Sequence, residues 1–200
     1  MVKPIVIGVC GASAQPLAEK AIKMLLKNKV HTDLVISAGA YKVWKSEINV
    51  TVPLEPSEQK DFWSRRLKED VSLLNCYKPD DNSARIASGS FKTQGMIIIP
   101  CSMGTLGRIA NGVSMTLIER SADVHLKEKR KLILVPRETP LNLIHLKNMT
   151  TLSEAGAHII PPIPAWYTKP KTIDELLDFI IMRVFDSLDI DFPTNKRWGK

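Results

Sequence analysis

Four short runs rich in Ile and Val do most to set the fold of this 200-residue chain. They are PIVIGV at 4–9, DLVIS at 33–37, GMIIIP at 95–100 and KLILVP at 131–136. Most of them lack the alternation of apolar and polar residues that is typical of a strand with one solvent-exposed face. The runs therefore predict strands that are covered on both faces.

Segments with helical spacing of apolar residues separate these runs. They extend from Leu17 to Leu26, Phe62 to Leu74, Leu106 to Leu126 and Leu141 to Leu152. Strand followed by helix, repeated, predicts a Rossmann-like (flavodoxin-like) parallel sheet with helices on both faces. A last helix is predicted from Thr172 to about Leu188, with Glu175 completing a capping box. Residues 51–60 and 77–83 are predicted to be loops.

The length predicts one α/β domain over residues 1–190, followed by a tail at 191–200 that lacks periodicity. The sequence shows neither a signal peptide nor an apolar run long enough to cross a membrane, so a cytoplasmic protein without membrane contact is expected. Cys10, Cys76 and Cys101 are too widely spaced for a zinc site or a disulfide framework, and the histidines lack metal-ligand spacing. Reduced thiols and no metal are expected.

The net charge of +7 is concentrated in part in LKEKRKLILVPRETP at 126–140. Because no aromatic residue lies within that stretch, a nucleic-acid partner is not expected. Lys127 shares a helix face with Arg120 and Asp123, whereas residues 129–131 are expected to face solvent. Arg137 and Glu138 follow a predicted strand, where they form either a structural ion pair or a proton-transfer site.

Three further segments carry polar groups where a ligand could bind. GVCGAS at 8–13 ends the first strand, and Ser13 there is either a helix cap or part of an anion site. Ser102, Gly104 and Thr105 follow the strand at 95–100 in the same way. PPIPAWYTKP at 161–170 predicts a rigid loop that presents Tyr167.

Together the motifs GAS, ASGSFKTQGMIIIPCSMGTL, ERSADVHLKEKRKLILVPRETPLNLIHLKNM and GAHIIPPIPAWYTKPKTIDELLDFIIMRV resemble flavin prenyltransferases of the UbiX type. The resemblance covers nearly the whole chain, is strongest at 87–188 and is weakest at 48–82. It implies an FMN-binding enzyme that needs no metal and joins a dimethylallyl group, taken from dimethylallyl phosphate, to N5 and C6 of reduced FMN. The prenylated FMN would serve a UbiD-type decarboxylase, as in ubiquinone biosynthesis. Homo-oligomers, up to a dodecamer, with sites between subunits are also implied.

The resemblance assigns roles residue by residue. Positions that match flavin contacts are Gly11, Ala12, Ser13, Ser37, Ser102, Met103, Gly104, Thr105, Arg120 and Arg137. Positions that match residues binding the prenyl phosphate are Lys127, Tyr167 and Arg183. Further positions that match active-site residues are Ser13, Glu47, Glu138 and Trp198. Glu138 matches the acidic residue that handles protons, and Trp198 matches an aromatic face for the allylic cation.

One departure from the family pattern keeps a second class of function open. The family usually has glycine after Gly-Ala-Ser, where this chain has Ala14, and a positive φ would be costly for alanine. An FMN-binding or delivery subunit without transferase activity is therefore one alternative. An FMN-dependent decarboxylase of cysteine-type substrates is another, and the PCSMGT motif at 100–105 argues against it.

Overall fold

The computed structural model describes residues 3–191 of the chain. Its strands are β1 (Ile5–Val9), β2 (Thr32–Ile36), β3 (Leu74–Tyr77), β4 (Gly95–Cys101), β5 (Leu132–Pro136) and β6 (His158–Ile159). Its α-helices are α1 (Gln15–Lys27), α2 (Ala38–Ile48), α3 (Pro56–Leu67), α4 (Met103–Ala110), α5 (Leu117–Lys127), α6 (Leu143–Glu154) and α7 (Ile173–Asp186). One turn of 3-10 helix occupies Arg85–Ala87.

The strands form one parallel sheet in the order β3-β2-β1-β4-β5-β6. Every residue of β1, β2, β4 and β5 is buried, as the unbroken apolar runs predict. One core, which includes Leu25 and Phe185, packs α1 and α7 against the sheet. A second core, which includes Leu106 and Ile118, packs α4 and α5 against it. The predicted Rossmann-like fold is confirmed.

The prediction of a helix from Phe62 to Leu74 is wrong in both bounds. α3 begins at Pro56, inside the segment predicted to be a loop, and ends at Leu67. Lys68 adopts a left-handed backbone with φ 55° and stops the helix. Leu74 then opens β3, which pairs with β2 and was not predicted.

The predicted helix from Leu106 to Leu126 is two helices, because the chain turns between α4 and α5. Gly112 has φ +69° in that turn, and Glu119 accepts a hydrogen bond from the Thr116 amide at the start of α5. Helix α2 and strand β6 were also not predicted. Tyr77 ends β3 rather than opening a loop.

The last helix begins as predicted, and its end at Asp186 lies two residues before the predicted one. The Thr172 hydroxyl accepts from the Glu175 amide at 3.2 Å, which is one half of the predicted capping box. The Glu175 carboxylate accepts instead from the Lys171 amide at 2.7 Å, so the reciprocal half is displaced by one residue. Within residues 3–191, no helix is both long and apolar enough to span a membrane.

Candidate active site

The order of the strands reverses between β1 and β4, and ligands of open α/β sheets bind where that happens, beyond the carboxyl ends of the strands. Backbone hydrogen bonds hold the segments at this edge together. The Ser37 amide donates to Val9 at 2.9 Å, the Cys10 amide to Pro100 at 3.1 Å, and the Arg137 amide to Cys101 at 3.1 Å. The predicted flavin residues after β1, β2, β4 and β5 therefore lie along one crevice.

The turn after β1 is packed backbone against backbone. A Cβ atom at Gly11 would lie 2.8 Å from the carbonyl carbon of Gly39 at the start of α2, so only glycine fits. Ala14 has φ 87° and ψ 37°, the left-handed conformation that the sequence made a concern. Alanine therefore occupies the conformation that was expected to be costly for it, and the turn after β1 carries that strain.

Gln15 fixes the same turn and was missed by the sequence reasoning. Its side chain is fully buried, and its amide donates to the Cys10 and Ala12 carbonyl oxygens at 3.0 and 2.9 Å. The only sequence signal was a glutamine directly before Pro16, in the first turn of a helix. Ser13 is half-buried in this turn.

The amino termini of α1, α2 and α4 all open at this edge. Ser37 caps α2 by accepting from the Ala40 amide at 3.2 Å, and Ser102 caps α4 by accepting from the Thr105 amide at 3.3 Å. Free amides and aligned peptide dipoles at such ends favour a bound anion. A cavity of about 660 Å³ adjoins Ser37 and is lined mainly by apolar surface, including parts of Tyr41 and Pro79. An anionic group and a flat apolar ring both suit this arrangement, as the phosphate and ring of a flavin mononucleotide require.

Two thiols lie beneath the crevice, and both are fully buried. Hydrogen bonding from Cys101 lowers the pKa of Cys10, against the effect of burial, and Thr105 lowers it further. The pKa of Cys101 is raised well above its usual value by that same hydrogen bond and by burial. Cys101 is therefore a buried, protonated core residue.

Arg137 and Glu138 are exposed at the crevice after β5. The Glu138 carboxylate accepts from the Thr139 amide at 3.0 Å, and residues 3–191 contain no ion pair between Arg137 and Glu138. Of the two interpretations that the sequence left open, the structural ion pair is therefore wrong. Both charges are available to a ligand.

Other predicted site residues lie away from this crevice within a single chain. Lys127 ends α5 just before β5 begins and pairs with Glu128 at 2.9 Å. Arg183 lies near the end of α7, pairs with Asp186 at 3.2 Å, and lines a cavity of about 510 Å³ together with His158, the first residue of β6. A five-residue strand spans about 17 Å, so these cations lie at the amino edge of the sheet, opposite Arg137.

The remaining predicted site residues lie on separate elements of the chain. Arg120 donates to the Ala87 carbonyl at 3.1 Å and pairs with Asp123 at 2.8 Å, as its helical spacing suggests. Tyr167 lies in the loop before α7, with its ring edge-on to Phe179 at 5.9 Å. Glu47 is exposed in the last turn of α2. Trp198 lies outside the described residues.

The prediction that Lys129, Arg130 and Lys131 face solvent is wrong for Arg130. Its guanidinium donates to the carbonyl oxygens of Phe91 and Gly89, and its side chain is 15% exposed. Arg130 therefore fastens the ASGSF segment to the end of α5. Lys131 pairs with Asp189.

A fold and a crevice of this kind define a class of nucleotide-binding α/β proteins. The Flavoprotein family matches residues 2–185. The flavin prenyltransferase UbiX of Synechocystis sp. is 47% identical over 199 residues, which cover 99% of this chain and 97% of that protein.

Two solved structures support the same relationship. A crystal structure of AnUbiX (PadA1) in complex with FMN and dimethylallyl pyrophosphate has a TM-score of 0.85, 39% identity and full coverage of both chains. A dodecameric FMN-dependent Ubix-like decarboxylase from Escherichia coli O157:H7 also has a TM-score of 0.85, with 38% identity, and the match covers 98% of this chain and 100% of that one. The chain belongs to the UbiX-type flavin prenyltransferases of the Flavoprotein family.

Proposed function

We propose that this prenyltransferase takes a dimethylallyl group from dimethylallyl phosphate and joins it to N5 and C6 of reduced FMN, releasing phosphate and prenylated FMN. The observation that carries the proposal is the crevice itself, where three helix amino termini meet the family's flavin positions at the switch point of the sheet. Reduced FMN, when bound, supplies the nucleophilic nitrogen and carbon.

The flavin side of the site is assigned to residues of the carboxyl edge. Gly11, Ala12 and Ser13 supply a turn whose backbone can approach a ligand closely, and Ser37 lies between this turn and the apolar cavity. Ser102, Met103, Gly104 and Thr105 supply the amino terminus of α4. Arg137 adds an exposed positive charge, and Arg120 belongs to the same family set.

Proton handling is assigned to Glu138, with Ser13 beside the first turn. Ring closure at C6 replaces a hydrogen by carbon, so a proton must leave the flavin. Glu138 has one carboxylate oxygen bonded to its neighbouring amide and is exposed toward solvent, which allows it to exchange that proton. Glu47 is assigned a supporting role by the family pattern alone.

The phosphate side is assigned to Lys127, Tyr167 and Arg183. Breaking the allylic C–O bond leaves negative charge on the phosphate, and cationic and phenolic donors stabilise that charge. Because Lys127 and Arg183 lie at the amino edge of their own sheet, we assign them to the crevice of another copy of the chain. Exposed apolar residues on α6 and beside α5, such as Leu143, Ile144 and Met115, provide surface for such assembly.

Further features complete the proposal. The family pattern assigns Trp198 the role of an aromatic face for the allylic group. The homo-oligomer is a dodecamer, and a UbiD-type decarboxylase receives the product, as in ubiquinone biosynthesis. The three free thiols suit a cytoplasmic location.

The test is anaerobic incubation of the protein with FMN, dithionite and dimethylallyl monophosphate, followed by mass spectrometry of the released flavin. A flavin heavier by one C5H8 unit supports the proposal, and the diphosphate is tested in parallel. Unchanged FMN with both donors would reject it in favour of a delivery subunit. Glu138→Gln should keep FMN and stall before the product, whereas Lys127→Ala and Arg183→Ala should first weaken the use of the donor. Equal loss of FMN in all three variants would contradict this division of roles.

A further inference from the structure

Two hydrogen bonds connect Arg108, in the second turn of α4, through Thr105 to Ser102 at the crevice. We propose that Arg108 is a positioning residue that fixes the Ser102 hydroxyl as a hydrogen-bond acceptor toward an N–H group of the bound flavin. The inference rests on the proposed flavin site. Neither the family motifs nor the helical spacing assigned any role to Arg108.

The direction of the hydrogen bonds follows from the chemistry of their donors. Arg108 Nη2 donates to Thr105 Oγ1 at 3.2 Å, and a guanidinium cannot accept in return. The Ser102 hydroxyl donates to the same Thr105 oxygen at 3.1 Å. Both lone pairs of Thr105 are then in use, so its own hydrogen must point elsewhere.

Cys10, which directly follows β1 and is fully buried, is close to Thr105, and hydrogen bonding from Thr105 lowers the pKa of its thiol. The Thr105 hydrogen therefore has a sulfur to point toward, while the Thr105 oxygen accepts from Arg108 and Ser102. With Arg108 in place, the Ser102 hydroxyl donates to Thr105.

Ser102 is left with one unused position. Its hydrogen goes to Thr105, and one of its two lone pairs accepts from the Thr105 amide at 3.3 Å. The second lone pair remains, and Ser102 is half-buried at the crevice. Toward a ligand Ser102 can therefore only accept a hydrogen bond.

The position of Arg108 is itself fixed by a buried carboxylate. Glu119 is 1% exposed, and its Oε1 accepts from Arg108 Nε. Its Oε2 accepts from the Met115 and Thr116 amides at 2.8 and 2.9 Å. The turn between α4 and α5 thus holds the guanidinium against Thr105.

A flavin offers the complementary group. The isoalloxazine ring carries one N–H group in the oxidised form and gains another on reduction. A Ser102 oxygen that only accepts can therefore bond to an N–H group of either form, and the reduced ring offers it more donors. If Arg108 were absent, Thr105 and Ser102 could exchange donor and acceptor roles. In the exchanged state the Ser102 hydrogen would point toward the flavin N–H group, and the hydrogen bond between them would be lost.

The experiment compares FMN affinities, oxidised and reduced, by anaerobic fluorescence titration. The main variant is Arg108→Met with Glu119→Gln, which leaves no buried charge unpaired. We expect FMN to bind about tenfold more weakly, the size of one lost hydrogen bond, with reduced FMN affected at least as much as oxidised FMN. Thr105→Val should show the same loss, and adding it to the main variant should cause no further loss.

The matched control is Arg66→Met with Glu19→Gln, an ion pair of 2.8 Å between α3 and α1 that should leave FMN affinity unchanged. Wild-type affinity in the main variant would overturn the inference, as would additive losses in the combined variant or a fall in melting temperature without a change in affinity. These outcomes leave the proposed function standing. Failure of the wild type to bind FMN would refute both.

Discussion

At the scale of single residues, Ala14 occupies a backbone conformation that favours glycine. Its φ of 87° places it in the left-handed region, where a Cβ costs about 1 to 2 kcal/mol. The expected effect of Ala14→Gly is an increase of about 1 kcal/mol in the free energy of unfolding, because relief of strain exceeds the added entropy of the unfolded chain. Urea denaturation measures it. The control is Ala18→Gly within α1, which should instead destabilise the fold.

His125 makes stability depend on pH. Burial lowers its pKa from 6.5 to about 4, and nearby Arg130 acts in the same direction. Its Nε2 lies 2.8 Å from the Thr93 hydroxyl, and its Nδ1 lies 2.7 Å from the Ser121 carbonyl oxygen, so the folded site suits a neutral ring. In the unfolded chain the ring binds a proton below about pH 6.5.

The direction in which stability changes with pH follows from proton uptake by the unfolded chain. Between pH 6.5 and 4 the unfolded state binds the proton and the folded state does not, so stability falls as the pH falls, by roughly 3 kcal/mol in total. In His125→Gln the free energy of unfolding should depend less on pH across this window, whereas exposed His158→Gln should follow the wild type. Chemical denaturation at a series of pH values tests this, and parallel curves for wild type and His125→Gln would contradict it.

At the scale of elements, a buried carboxylate ties the edge strand β3 to the sheet. Asp33 in β2 is fully buried and accepts from Asn75 at 2.9 Å and from Arg85 at 2.7 Å. Arg85 also lies 4.7 Å from the centre of the Phe91 ring. One arginine therefore joins β2 to the segment that leads into β4.

Arg85→Met should lower the free energy of unfolding by about 3 kcal/mol, because it leaves the Asp33 charge buried without its cationic partner. Adding Asp33→Asn should recover part of that loss. Denaturant titration with far-UV circular dichroism gives both values. If the double variant were less stable than Arg85→Met, removal of the unpaired charge would not be the explanation.

The elements that sequence patterns predicted are those buried on both faces. β4 and β5 are continuous apolar runs, so their burial could be predicted without knowing their neighbours. β3 could not be predicted, because Leu74 continues the helical spacing of α3 and only pairing with β2 makes LNCY a strand. Arg108 was missed for the same reason: its hydrogen bond to Thr105 lies within α4, but the carboxylate that holds it comes from α5.

At the scale of the whole molecule, the predicted site residues divide between two edges of one sheet. Ser102 and Arg137 lie at the carboxyl edge, whereas Lys127 and Arg183 lie at the amino edge. The sequence placed them in one site by resemblance, yet one chain does not bring them together. A site that uses both sets needs two copies of the chain.

This arrangement predicts complementation between inactive variants. Arg137→Ala and Arg183→Ala should each be nearly inactive alone, but co-expressed chains should form mixed oligomers in which about one quarter of the sites draw an intact Arg137 from one chain and an intact Arg183 from another. Mass spectrometry of the flavin product would measure the recovered activity. The control pairs Arg137→Ala with Glu138→Gln, two changes on the same edge, for which no mixed site is intact and no activity should return. Recovery in both mixtures, or in neither, would mean that the two edges do not meet across subunits as proposed.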